Sequence, residues 1–138
     1  MRRQSGQSAV EFALIVPLLM FMVLTAIYGG AMFIQFMNYN NEARAIAREI
    51  AVASDDTTRK ERFNYYKGDA VGVVALYKVS AETVLRKGDS EYEDYDEGVA
   101  AGANEVEVRF IFQHDVEFIY DFPPKNFAAS YRMQLEDN

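Results

Sequence analysis

The sequence predicts an α+β protein in which a long N-terminal transmembrane helix is followed by a small antiparallel β-sheet domain. Three observations predict it. Between Phe12 and Phe36 there is no charged residue, and the side-chain polar groups are Thr25, Tyr28 and Gln35 alone. Beyond that run Ala43, Ile46, Ala47, Ile50 and Ala53 recur at helical spacing, while Glu42, Arg44, Arg48 and Glu49 lie mainly elsewhere. Later stretches alternate apolar and polar residues with the period of a half-buried strand.

The apolar run is of bilayer length. A hydrocarbon core of about 30 Å needs about 20 helical residues, and the run exceeds the apolar part of an ordinary secretory signal. Charge divides the chain in the same place. From Asp55 to Asn138 there are 18 acidic and 10 basic residues, a net charge of −8, whereas the head carries Arg2 and Arg3 and no acid. Basic residues flanking a first apolar segment favour the cytoplasm, so the acidic part is expected outside it. An acidic domain without lysine and arginine clusters argues against nucleic acid as a partner. The chain has no cysteine, which removes disulfides, zinc thiolates and cysteine nucleophiles together. The exterior domain must cohere by packing.

The head ends in Gly6, and Glu11 stands five residues later at the mouth of the uncharged span. An isolated carboxylate costs about 2.5–3.5 kcal/mol at a membrane centre on insertion scales, and less near the interface. Two readings follow. Cleavage after Gly6 would make the α-amino group of Gln7 a cation able to pair with a neighbouring subunit's Glu11. Alternatively, Glu11 marks the interface, where a carboxylate suits the positive helix N-terminus.

The stretch Gly6-Gln-Ser-Ala-Val-Glu11-Phe-Ala-Leu-Ile-Val-Pro17-Leu-Leu resembles the N-terminal motif of the TadE/TadG family, the minor pseudopilins of tight-adherence (Flp-type) pili. The likeness continues through Asn41-Glu-Ala-Arg44-Ala-Ile-Ala-Arg48 and is close over roughly residues 5–53. It implies that Gly6 and Glu11 are read by a prepilin peptidase, a membrane aspartic protease, and that Glu11 and Pro17 belong to the assembly signal. It also implies a pilin-like helix, with other pilin or pseudopilin subunits, an inner-membrane assembly platform and the lipid bilayer as partners. Gln7 in place of phenylalanine or methionine, and the absence of a Phe-Thr-Leu-Ile-Glu string, argue against an ordinary type IV or type II secretion pilin.

The expected organisation is a leader over residues 1–6, a long helix over 7–54 with its membrane segment at about 12–36, and an exterior acidic domain over 55–138. Pro17 removes one backbone donor and is expected to bend the helix, which membrane helices tolerate. Thr25 with Gly29, and Ala26 with Gly30, place small residues four apart. That spacing suits close approach of a second helix, and a flexible point in a lone anchor is the other reading. Arg44 and Arg48, one turn apart, read as a solvated face, with lipid head groups or acids of the outer domain as the alternatives. Ser54-Asp55-Asp56 reads as a helix exit or as the cap of a short helix from Thr57 to about Tyr66.

Ala70 to Val79 is nearly all apolar and reads as a central strand buried on both faces. From Glu105 to Tyr120 the apolar residues fall on even numbers, with an interruption expected near Gln113-His114-Asp115. Ala129, Tyr131, Met133 and Leu135 alternate with polar residues. These strands are expected to form an antiparallel sheet against the outer end of the helix. Asp121-Phe-Pro123-Pro124-Lys-Asn reads as a rigid turn.

Lys87 to Asn104 reads as an acidic linker, solvated or in contact with a basic partner, whose interleaved Tyr92 and Tyr95 read as exposed tyrosines, with adhesive contacts as the alternative. Its acids Asp89, Glu91, Glu93, Asp94, Asp96 and Glu97 make a weak calcium candidate, since the spacing is not that of an EF-hand loop. His114, the one histidine, reads as a strand residue rather than a general base. With no Gly-x-Ser-x-Gly and no phosphate-binding loop, neither catalysis nor a cofactor is expected. The expected role is a structural pilin-like subunit in the cell membrane and, once assembled, in a pilus outside the cell. A permanently anchored binding or sensing module and the major filament subunit are the alternatives.

Overall fold

The computed structural model describes the backbone of residues 3–67, 70–116 and 124–136, with side chains from Ser8 onward except at Ala70. One helix, α1 (Arg3–Ala51), runs through Pro17 without interruption. It begins before the expected residue 7 and ends three residues short of 54. The chain forms two units, Met1–Ile34 and Gln35–Asn138.

In the second unit, the α1 residues read as one face are the ones that bury. Ala43, Ile46, Ala47 and Ile50 are 5% exposed or less. After α1 the carboxylate of Asp55 accepts the backbone N–H of Thr58 at 2.7 Å and opens α2 (Asp56–Tyr65) as an N-cap. The strands are β1 (Ala70–Val74), β2 (Tyr77–Lys87), β3 (Ser90–Tyr92), β4 (Glu105–Gln113) and β5 (Asn126–Gln134), and α3 (Tyr95–Ala100) lies between β3 and β4. All pairings are antiparallel in the order β1-β2-β4-β5, with β3 added to β2.

Register decides the faces, because directly paired residues share a side. Val79, Ala81, Thr83 and Leu85 pair with Phe112, Phe110, Val108 and Val106, which pair in turn with Phe127, Ala129, Tyr131 and Met133. This is the side toward α1. The Tyr39 ring lies 5.0 Å from Phe110, Phe36 lies 6.0 Å from Phe112, and Phe112 stacks on Phe127 at 4.6 Å. The even-numbered alternation in β4 is therefore real, and the strand ends at Gln113, where the interruption was expected. Residues 117–120 of that run and residues 121–123 of the proline turn lie outside the described residues.

Two expectations fail. Ala70 to Val79 is not a central strand but the edge strand β1, a two-residue turn at Ala75-Leu76, and the start of β2. Val73 is 70% exposed on the sheet's far side. The turn carries no glycine, asparagine or proline, and Ala75 adopts φ +54° without their help. Gly72 is explained by close approach, since a Cβ there would stand 3.1 Å from the Tyr39 hydroxyl.

The acidic linker is also structured. Asp94 caps α3 by accepting the N–H groups of Asp96 and Glu97, and Tyr95 is a core residue, 2% exposed, with its ring 5.5 Å from Phe63. Burial, and then its hydrogen bond to Asp56, raises the Tyr95 phenol well above its ordinary pKa. α3 presses so closely on β2 that a Cβ at Gly98 would lie 2.6 Å from Leu85 Cδ1.

The sheet's far side carries an ion network. Glu107, with its side chain 4% exposed, accepts from Arg86 at 2.6 Å and from Arg109 and Arg132 at 3.0 Å. Arg86 and Arg109 also each meet Glu91 at 2.6 Å. Burial alone would raise the Glu107 carboxyl, but the bonds and charge of Arg109, with the charges of Arg132 and Arg86, hold it below its ordinary value of 4.5.

Because the folded value is depressed, this contribution to stability is present above pH 4.5 and is lost as pH falls through the folded value. Glu107→Gln leaves the buried Arg86 with Glu91 as its remaining carboxylate, and a loss of about 1–3 kcal/mol at pH 7 is expected in urea unfolding of the full chain in detergent. The gap to the parent should narrow in acid, and an equal gap at all pH values would refute the electrostatic account. Ala75→Gly is expected to raise stability by up to about 1 kcal/mol in the same measurement, since glycine adopts positive φ without strain.

Candidate functional site: the N-terminal helix

From Ser8 to Ile34 every residue but Met32 is exposed within the chain. Phe12, Leu14 and Phe21 are each about 70% exposed. Water-soluble monomers rarely expose a contiguous apolar patch beyond about 300–600 Å². This segment exceeds that and needs lipid or other helices around it. It is long and apolar enough to cross a membrane, and none of its most apolar window is buried inside the protein.

Gly6 and Gln7 lie in the first turns of α1, so the expected cleavage point is helical backbone in the uncut chain. Glu11 is exposed in the same helix. Thr25, Ala26, Gly29 and Gly30 form a contiguous patch at i, i+1, i+4 and i+5. The Thr25 hydroxyl donates to the Phe21 carbonyl at 2.8 Å, which satisfies it inside the helix. A Cβ at Gly29 or Gly30 would meet nothing within 4 Å. Glu11 precedes Gly29 by eighteen residues, about five helical turns, and so shares its side of α1.

The remaining candidates do not converge. Glu91 is taken by Arg86 and Arg109, Asp94 caps α3, and Asp96 pairs with Lys60. Asp89 sits in the β2–β3 turn and Glu93 just after β3. Among the described residues no three carboxylate or histidine side chains are grouped to hold a metal. His114 is buried just past β4, its ring 5.0 Å from that of Tyr77. Sequence reasoning missed Arg62, which α2 brings beside Arg44 and Arg48, and no local spacing could have signalled that.

The class defined by these features is an α+β protein whose N-terminal helix is long and apolar enough to cross a membrane and is left uncovered within the described residues. The family model described as TadE-like protein matches residues 6–48. That match makes the N-terminal segment similar to TadE-like proteins. Neither curated proteins nor solved structures showed a match to this chain.

If Gly29 and Gly30 serve a helix seam, Gly29→Leu/Gly30→Leu should reduce self-association in the membrane while leaving thermal unfolding of the sheet domain unchanged. Unaltered association on cysteine-free chemical crosslinking would reject the seam.

Proposed function

We propose that this chain is a minor pseudopilin of a tight-adherence, Flp-type pilus. The observation that carries the reading is the TadE-like segment on an apolar helix with no covering of its own. The anchor inserts with Arg2 and Arg3 in the cytoplasm and the acidic domain outside. A prepilin peptidase hydrolyses the Gly6–Gln7 peptide bond, water supplying the hydroxyl to Gly6 and a proton to the released amine of Gln7. That new ammonium pairs with Glu11 of a neighbouring subunit, and the assembly platform draws the helix from lipid into a bundle of helices. Neutralisation lowers the cost of a carboxylate in an apolar surround, and a helix bundle satisfies the apolar surface as lipid does. The chain acts structurally, in pilus biogenesis and adhesion, without catalysis or cofactor.

Mass spectrometry of the protein from its own host is expected to find an N-terminus at Gln7. Intact chains beginning at Met1, with the peptidase active, would favour a permanently anchored module instead. Glu11→Ala is expected to leave the protein in the membrane and abolish its incorporation into pili. Its recovery as the dominant species of sheared filaments would make it the major subunit.

A further inference from the structure

Five of the domain's arginines are engaged inside it. Arg86, Arg109 and Arg132 share Glu107, Arg59 donates to the carbonyls of Ala53 and Glu136, and Arg62 meets Glu49 at 3.5 Å. Arg44 and Arg48 differ. Both are exposed, and among the described residues neither forms an ion pair with a carboxylate. The Arg44 guanidinium lies 5.0 Å above the Tyr131 ring, which positions it without neutralising it. With Asn41, Glu49, Val52 and Arg62 these two arginines line an open groove of about 630 Å³. Arg62 answers Glu49, so the groove keeps the two positive charges of Arg44 and Arg48 in a domain of net charge −8.

Complementary charge is present on the same molecule. Asp89, Glu93 and Glu97 are exposed around β3 and α3, and among the described residues none of their carboxylates forms an ion pair. Among the described residues they form no ion pair with Arg44 or Arg48 of their own chain. β3 pairs with Leu85–Lys87, and Arg86 pairs across with Glu105, which neighbours Gln134. This is the end of the sheet where the Glu136 N–H donates to the Ala51 carbonyl, at the last turn of α1. The groove runs along that helix from Asn41 to Val52, with Arg48 about one turn and Arg44 about two turns before Ala51. With helices parallel, the acidic end of one copy meets the groove of another at an axial offset on the order of 10 Å. Such a contact joins two different surfaces and propagates rather than closing.

We propose that the Arg44–Arg48 groove receives the acidic β3–α3 end of a second copy of this chain, through Asp89, Glu93 and Glu97. The proposal rests on the reading of the chain as an assembling subunit and names the contact its exterior domain makes. Like charges set against each other across such a contact suppress pairing.

The test is chemical crosslinking of the full chain in its own membranes. Arg44→Glu/Arg48→Glu should lower the yield of crosslinked copies by about tenfold, and Glu93→Arg/Glu97→Arg should do the same. Co-expression of the two variants should restore it. An unchanged yield, or no recovery on co-expression, overturns the proposal. Lost binding to anionic phosphatidylserine vesicles with crosslinking intact also overturns it, and assigns the groove to lipid phosphate. Should the charge-reversed chains not fold, carbodiimide coupling of Arg48→Lys decides. Crosslinks from position 48 to carboxylates of residues 89–97 in a second copy are expected, and crosslinks elsewhere or none refute the contact. The N-terminus is read separately. A chain processed at Gln7 that crosslinks regardless of Arg44 and Arg48 sinks the groove alone, while an unprocessed chain that obeys the charge exchange sinks the pseudopilin reading alone.

Discussion

The exterior domain depends on the seating of one helical face on one sheet. Ala43, Ile46, Ala47 and Ile50 are buried along one stripe of α1. Phe36 and Tyr39 extend the seam onto the aromatic side chains of β4 and β5. Aromatic pairs of this kind add roughly 0.5–1.5 kcal/mol each beyond the area they bury. With no disulfide available, this packing is what holds the sheet to the helix. Arg59 ties the segment after α1 to the segment after β5 by donating to the carbonyls of Ala53 and Glu136.

The same helix answers to two environments. Up to Ile34 its apolar side chains are exposed all round, as a bilayer or a bundle of helices requires. From Gln35 onward only one stripe is apolar, as the surface of a sheet requires. The change of pattern within one continuous helix makes α1 both anchor and core element. The pilin-like family match follows this helix, ending at residue 48, and does not extend into the strands.

Charge in the domain is used with similar division. Three of the six acids from Asp89 to Glu97 serve inside the fold, as a helix cap at Asp94, a lysine partner at Asp96 and an arginine partner at Glu91. Glu107 tolerates burial because three guanidiniums surround it, and one lone partner would not offset the loss of hydration as fully. What remains on the surface is the unanswered fraction, acidic around β3 and α3 and basic at Arg44 and Arg48.

Much of this was legible in residue order. The anchor, the buried stripe from Ala43 to Ala53, the cap at Asp55 and the alternation in β4 and β5 all follow from periodicity, because each reports the geometry of a single element. The turn at Ala75-Leu76 was not legible, since nothing local demands positive φ at an alanine and only the pairing of Val74 with Tyr77 imposes it. Nor was the burial of Tyr95, which depends on Phe63 arriving from α2, or the fate of the acids, which depends on arginines of β2 and β4 and a lysine of α2. The sequence by itself determined which segments are helix, anchor and strand, because those are properties of neighbours along the chain. Only the tertiary structure decided which charges neutralise one another and which are left facing outward, because ion pairs form between residues that folding, not sequence, makes adjacent.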